Sequence, residues 1–349
     1  MTPGQLALDD RKALVLRAIV SHYVRTGEPV GSKTLVEAYH LRVSTATVRN
    51  DMMALEEGGY IYQPHTSAGR IPTDAGYRYF VDSWAADVRL PATEARRVRT
   101  FFGEPRWELE DSLRQTATLL SNLTQHAAVV FAPGLDRSTV RHVELVKLAT
   151  GRAMVVLVTD TGRVENHMLP LPEAVSDRQI DALAGRLNKL TIGSPLESAA
   201  TLIESHLEEL PPELKELAQS IAKTLRAEHD AKDSERVFLD GASNIVDEQK
   251  FTDIETVRQV IGALEHRRLV LEVLADALGS NQVSVRIGSE NPAAEMQFCS
   301  VITAPYGTED APMGSIGIVG PTRMDYRRTI AAVYEVSAHL GRMLTELGM

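Results

Sequence analysis

The sequence predicts an α+β multidomain protein, with an N-terminal winged helix-turn-helix followed by a split α+β domain that a helical segment interrupts. Three observations predict it. The run from Val43 to Gly76 reads as a helix followed by a tight hairpin carrying Thr, Arg and Asn on the helix and His and Arg on the hairpin. Apolar spacing then changes from helical to alternating near residue 127, back to helical after Glu173, and to alternating again after Val283. Gly, Pro and Asp pairs punctuate each change.

The elements follow in order. Asp9-Asp10 opens a helix through Arg25, with Leu16, Ile19, Val20 and Tyr23 on one stripe. Thr26-Gly27-Glu28-Pro29 breaks it. Gly31-Ser32-Lys33 starts a short second helix that holds Leu35, Val36 and Tyr39. His40-Leu41-Arg42 is the turn. The third helix has Ser44 as N-cap and Thr45 and Thr47 in its first turn. Val48, Met52 and Leu55 fall at i, i+4 and i+7 and face inward, which turns Ala46, Arg49, Asn50 and Met53 outward. Gly58-Gly59 ends it.

Tyr60 to Gln63 is a short extended segment, Pro64 and Ala68-Gly69 mark a turn, and Arg70-Ile71-Pro72 leads back. The order helix, helix, turn, helix, wing is that of a duplex-reading module. Arg forks onto guanine, Asn pairs with adenine, and Thr or Ala methyls touch thymine. The DNA-contacting residues expected from this are Ser32, Lys33, Ser44, Thr45, Thr47, Arg49 and Asn50, with His65, Thr66, Ser67 and Arg70 at the wing, where phosphates or the minor groove lie within reach. The competing reading is a small helical domain that binds protein. It does not account for a Thr/Arg/Asn face next to an Arg-tipped hairpin.

Thr73 to about Arg89 reads as a helix whose Tyr77, Phe80, Val81 and Trp84 pack inward. Arg96, Arg97 and Arg99 cluster near the next junction, as a solvated face rather than a DNA contact. Trp107 to about Gln125 is helical. Strands are expected over Ala127–Phe131, Val140–Leu148, Ala153–Thr159 and Arg163–Leu169, with turns at Pro133-Gly134, Thr150-Gly151 and Asp160-Thr161-Gly162. Helices dominate Glu173–Glu228 and Asp253–Leu278, with a short strand at Val237–Leu239 between them. Strands return at Val283–Ile287, Met296–Pro305 and Gly314–Val319, and Asp325 to about Leu347 closes the chain as an amphipathic helix.

Composition limits the function classes. The 349 residues allow two or three domains, and 44% hydrophobic content suffices for packed cores. The single cysteine, Cys299, excludes an intrachain disulfide and fits a cytoplasmic protein. No leader pattern opens the sequence, and no apolar run reaches the ~18 residues of a membrane span. The net charge of −10 is unevenly spread. Residues 1–84 hold nine Lys/Arg and nine Asp/Glu, and the other 265 hold 28 against 38, so the whole deficit lies outside the helix-wing segment. A local basic surface is what DNA needs, and Arg42, Arg49 and Arg70, with Lys33 and Arg78, can supply it.

Catalytic and metal chemistry find no set of residues. His126, His142 and His167 lack ligand partners at metal spacing. Cys299 lies in an apolar strand pattern as a structural thiol. The glycine-rich Gly314–Gly320 run is strand-like and lacks the helix start of a phosphate loop. The expectation is a non-enzyme with no cofactor.

Several segments resemble the heat-inducible transcription repressor HrcA family. They are Gly31–Leu35, Ala46–Met52, Pro64–Thr73, Gly76–Asp82, Asp240–Asn244 and Gly317–Tyr326, which together span nearly the whole chain. The resemblance implies a bacterial repressor that binds an inverted-repeat operator as a homodimer, upstream of chaperonin and Hsp70-type operons. It implies as well that a chaperonin helps the repressor reach its DNA-binding form. The resemblance also implies a GAF-like domain with a dimerising domain inserted in it, and the strand–helix–strand order agrees. The expected divisions are a winged-helix domain 1–88, a linker 89–106, GAF-like parts 107–171 and 279–349, and an inserted helical dimerising domain 172–278. The alternative function is a small-molecule-gated regulator with a GAF-like sensor. In Gly320–Tyr326 a strand-to-helix corner, capped by Thr322 or Asp325, accounts for the residues better than a remnant pocket.

Overall fold

The computed structural model describes residues 8–66, 68–84, 89–104, 109–131, 139–149, 151–160, 164–172, 174–230, 237–246, 254–265, 282–308 and 311–346. The chain forms two compact units. One comprises Met1–Glu104, Leu113–Phe131 and Phe238–His339, and the other Pro105–Ser112, Ala132–Val237 and Leu340–Met349.

The first unit opens with three helices, α1 (Asp10–Thr26), α2 (Ser32–Tyr39) and α3 (Thr45–Glu57). Asp9 caps α1 by accepting the Lys12 N–H, and Gly27 ends it at φ 73°, a conformation that glycine adopts without strain. Leu16, Ile19, Leu35, Val48 and Leu55 are fully buried where the three helices meet. Strands β1 (Ile61–Tyr62) and β2 (Ile71–Pro72) pair antiparallel, and Val30 adds a bridge to Arg70. Helices α4 (Asp74–Trp84) and α5 (Ala92–Gly103) follow.

The rest of this unit is built on a five-stranded sheet. Helix α6 (Leu109–Thr124) leads into β3 (Ala127–Phe131). The sheet is completed by β7 (Val237–Asp240), β8 (Ser284–Ile287), β9 (Cys299–Thr308) and β10 (Ala311–Pro321), in the order β7-β3-β10-β9-β8. Helix α10 (Ile254–Glu265) precedes β8, and α11 (Tyr326–Glu346) follows β10. Asp325 caps α11 by accepting the Arg328 N–H at 3.1 Å, so the corner reading of Gly320–Tyr326 holds.

The second unit holds β4 (Val140–Ala149), β5 (Arg152–Thr159) and β6 (Val164–Pro170), paired antiparallel in that order. Helices α7 (Asp177–Thr191), α8 (Leu196–Ser205) and α9 (Pro212–Asp230) accompany them. Val143, Leu145, Val155 and Leu157 share one buried cluster with Leu183, Leu187, Ile203 and Ile221. Asn188 joins helix to strand: its Oδ1 accepts the Val143 N–H at 2.8 Å and its Nδ2 donates to the Val143 carbonyl at 2.7 Å. A Ser176–Gln179 capping box starts α7.

The mixed helix and antiparallel-sheet architecture agrees with the sequence reading, but the division at 171/172 does not. Strands β4–β6 form their own sheet with α7–α9, and of the early strands only β3 joins the five-stranded sheet. The compact unit that holds β4–β6 takes in Ala132–Val237, with Pro105–Ser112 and Leu340–Met349, where the sequence reading expected a helical segment over 172–278. The cause is local. Few residues separate β4, β5 and β6 in the chain, so they pair with one another, and alternation along a strand does not encode which sheet it enters. Met296 lies in a short 3-10 turn, Ala294–Met296, before β9 starts at Cys299. Trp107, the Pro133-Gly134 turn and residues 266–278 lie outside the described residues.

Candidate nucleic-acid interface

Helix α3 carries the candidate surface. Ser44 caps it by accepting the Thr47 N–H at 3.1 Å, and the two hydroxyls lie 2.9 Å apart. The cap fixes the helix start, and the face away from the core over the first two turns is Thr45, Ala46, Arg49 and Asn50, all exposed. Met53 continues that face at 51% exposure. Lys33 of α2 and Arg42, just before α3, are also exposed, and with Arg49 they make no ion pair among the described residues. Ser32 is half-buried at the start of α2. Ser44 and Thr47 hold the helix start; Thr45, Arg49 and Asn50 are the side chains with solvent in front of them.

The inner face of α3 holds a residue that sequence reasoning passed over. Asp51 is 3% exposed among Val48, Met52 and Leu55, and Arg11 of α1 forks onto it at 2.8 and 2.9 Å. A buried carboxylate needs such a partner, and the bidentate pair sets the roll of α3 against α1. The legible signal was an aspartate on an otherwise apolar stripe. Farther along α1, His22 meets Tyr39 of α2 with ring centroids 6.2 Å apart, and its imidazole has its pKa lowered, first by burial and then by the charge of Arg25.

The hairpin is held against α3 and against Val30, which precedes α2. Gln63 donates from Nε2 to the carbonyls of Thr66 and Ala68, both at 2.9 Å, and closes the tip. A Cβ on Gly69 would stand 2.5–2.6 Å from the Val30 backbone, so only glycine permits the bridge between Val30 and Arg70. His65 and Thr66 are exposed at the tip, and Ser67 lies outside the described residues. Arg70 does not point outward. Its Nε and Nη2 reach Glu56 of α3 at 2.9 and 2.8 Å, and its side chain is 20% exposed. The structure thus brings Thr45, Arg49 and Asn50 onto one helix face and turns Arg70 into a strut between hairpin and helix.

Arg78, counted from sequence as part of the basic surface, is also engaged elsewhere, with Glu290 and the Val285 carbonyl. The glycines of β10 serve packing. Gly314 lies against the Phe131 carbonyl and the Tyr306 ring, and the Tyr306 hydroxyl donates to that carbonyl. Burial pushes the Cys299 thiol up to about 12, which leaves it protonated at neutral pH. No group of His, Cys, Asp or Glu among the described residues is arranged to hold a metal ion, and no helix among them is long and apolar enough to cross a membrane.

Comparison with known proteins gives a consistent answer. Residues 110–330 match the family described as the HrcA protein C terminal domain. The heat-inducible transcription repressor HrcA of Acidothermus cellulolyticus is 42% identical, over 97% of this chain and 99% of that protein. That of Nocardia farcinica is 43% identical, over 99% of this chain and 100% of that one. Among solved structures, a crystal structure described only as a hypothetical protein, at 2.2 Å resolution, covers 98% of this chain and 100% of its own, with 25% identity and a TM-score of 0.70.

Proposed function

The chain belongs to the HrcA family of heat-inducible transcription repressors, and from that premise we propose that it binds an inverted-repeat operator as a homodimer and occludes chaperone promoters until heat releases it. The role is regulatory and not enzymatic. The observation that carries the reading is the exposed Thr45, Ala46, Arg49, Asn50 and Met53 face of α3 beside a hairpin braced on the same helix. In this reading residues 1–88 are a winged helix-turn-helix, the five-stranded unit is GAF-like, and 132–237 is the dimerising insertion. Ser32, Lys33, Ser44, Thr45, Thr47, Arg49, Asn50, His65, Thr66 and Ser67 contact DNA, in a cytoplasmic protein.

Arg70 acts in this scheme by aiming the wing. Arg70→Ala should weaken operator binding while leaving the slope of log K against log salt as it was. Lys33→Ala, which removes an exposed cation, should flatten that slope by about one unit per half-site. Equal flattening by both variants would show that Arg70 leaves Glu56 for a phosphate.

The dimer surface we assign is the outer face of the β4–β5–β6 sheet. Val146, Leu148, Val164 and Met168 are 37%, 48%, 57% and 56% exposed there. Val146, Met154 and Met168 form one cross-strand row. An exposed apolar row of this kind marks an interaction site, and a second copy supplies the two-fold symmetry that an inverted repeat demands.

Heat release and chaperonin help make one testable statement. Operator titrated against known total protein, across temperature and with and without chaperonin, should report a changing active fraction at constant intrinsic affinity. The active fraction should fall within a few degrees above growth temperature, ahead of global unfolding. A constant fraction with a shifting affinity would instead point to a bound effector.

A further inference from the structure

The segment that carries α3 is fastened to the five-stranded sheet by a polar clamp, with partners more than 200 residues apart in sequence. Helix α4 supplies one side. The Asp74 carboxylate accepts the Ser289 N–H and the Ser289 hydroxyl, both at 2.9 Å. One turn later, Arg78 donates from Nε to Glu290 Oε1 at 2.8 Å, from Nη2 to Glu290 Oε2, and from Nη2 to the Val285 carbonyl at 2.6 Å. The turn that receives them is shaped for it. Gly288 sits at φ 53°, where side chains are strained, and a Cβ there would run into the Asp74 carboxylate. Glu290 also accepts the Ile287 N–H at 2.8 Å, which fixes its own turn.

A second set of contacts lies along the same seam. The Arg323 guanidinium lies 5.8 Å from the Tyr23 ring and fills the space beside Gly27. Tyr77 and Tyr326 meet with ring centroids 5.6 Å apart. Tyr326 is anchored in the sheet unit through its hydroxyl, 2.6 Å from the Ser300 Oγ.

The clamp governs α3 as well as α4. Thr73 caps α4 through the Gly76 N–H at 3.2 Å and donates to the Gly59 carbonyl at 2.7 Å, just past the end of α3. Strand β2 runs directly into α4. Recognition helix, hairpin and α4 therefore turn together. Contacts at Asp74 and Arg78, four residues apart on one helix face, fix both the position and the rotation of that body. Such directional bonds matter here because polar domain seams are mobile by default.

We propose that Asp74, Arg78, Ser289 and Glu290 are positioning residues that fix the angle of the recognition helix on the body of the protein, and so determine which spacing between operator half-sites the dimer accepts. The inference rests on the DNA-binding reading above. In a two-fold dimer the separation of the two recognition helices must match the half-site separation along the duplex. A rigid clamp makes that match narrow. A loosened clamp lets each recognition helix rotate to meet an ill-spaced half-site.

The test uses the full chain, with operators obtained by selection from random DNA. One series holds both half-sites and changes the spacer by one and two base pairs in either direction, and one duplex carries a single half-site. Wild type should lose roughly 10²-fold on the misspaced operators, as expected when geometry forbids simultaneous engagement. Glu290→Gln, and Asp74→Asn combined with it, should cut that loss to within about threefold and leave single half-site affinity unchanged, because neither residue touches DNA. Glu290→Gln keeps an oxygen for the Ile287 N–H, so it decides the matter alone where the double variant folds poorly. Variants with the wild-type spacing preference would overturn the proposal, as would variants that lose single and double sites alike. Wild type that binds neither duplex would overturn the DNA-binding reading itself.

Discussion

Replacing Arg49 by alanine should cost about 1–3 kcal/mol per half-site and relax sequence preference at one position in each. The side chain sits in the second turn of α3, exposed and without an ion pair among the described residues. A guanidinium there is free to fork onto a guanine edge. In the proposed dimer both half-sites would lose the contact, so the complex as a whole would feel it twice. Binding to random DNA should change far less, since non-specific binding is set by phosphate contacts. Competition assays on the operator and on a scrambled duplex check this. Equal losses on both would make Arg49 a phosphate contact and move base readout to Asn50 and Thr45. Fold stability should not move, because Val48, Met52 and Leu55 carry the packing of this helix.

Placing glutamates at Val146 and Met168 should abolish the dimer at micromolar concentration and weaken operator binding by about 10²–10⁴-fold, the advantage that a second linked contact confers. The two residues flank Met154 in one cross-strand row, so two carboxylates would face their own copies across the two-fold axis. Because both side chains point away from the buried cluster of this unit, the fold should survive. Sedimentation and operator titration of the same samples separate the two effects. A variant that stays dimeric would move the interface off this sheet. A monomer with full operator affinity would show that pairing is not needed for binding.

Much of this was legible from the chain, for physical reasons that differ by element. The face of α3 was readable because Ser44 fixes where the helix starts, and the i, i+4, i+7 apolar set then fixes what faces out. The hairpin was readable because Gly69 and the prolines permit few other conformations there. The strands of both sheets were found from alternation, and their sheet membership was not, because pairing partners are chosen by turns and layers rather than by period. The Glu56 partner of Arg70 was not read, for a related reason. A cation near a hairpin tip points to solvent unless an acid stands opposite, and Glu56 is one helix away. The contacts of Asp74 and Arg78 with residues 285–290 were beyond reach, since nothing local marks a polar partner two hundred residues on.

Asn188 has a consequence for the protein when it is hot. Strand β4 is an outer strand of its sheet, and an uncovered outer strand is a template for other chains. Here the Val143 N–H and carbonyl are occupied by the Asn188 amide, and Val140 exchanges hydrogen bonds with Ser194 and Gly193 at 2.9 and 2.8 Å. Helix α7 and the loop after it thus act as a plug on that margin. Partial melting of α7 would uncover it beside the apolar outer face, and two heated molecules could join strand to strand. Loss of active repressor would then be second order in its own concentration, and a cell holding more of it would regain repression more slowly after a heat pulse, which gives the circuit a memory set by copy number.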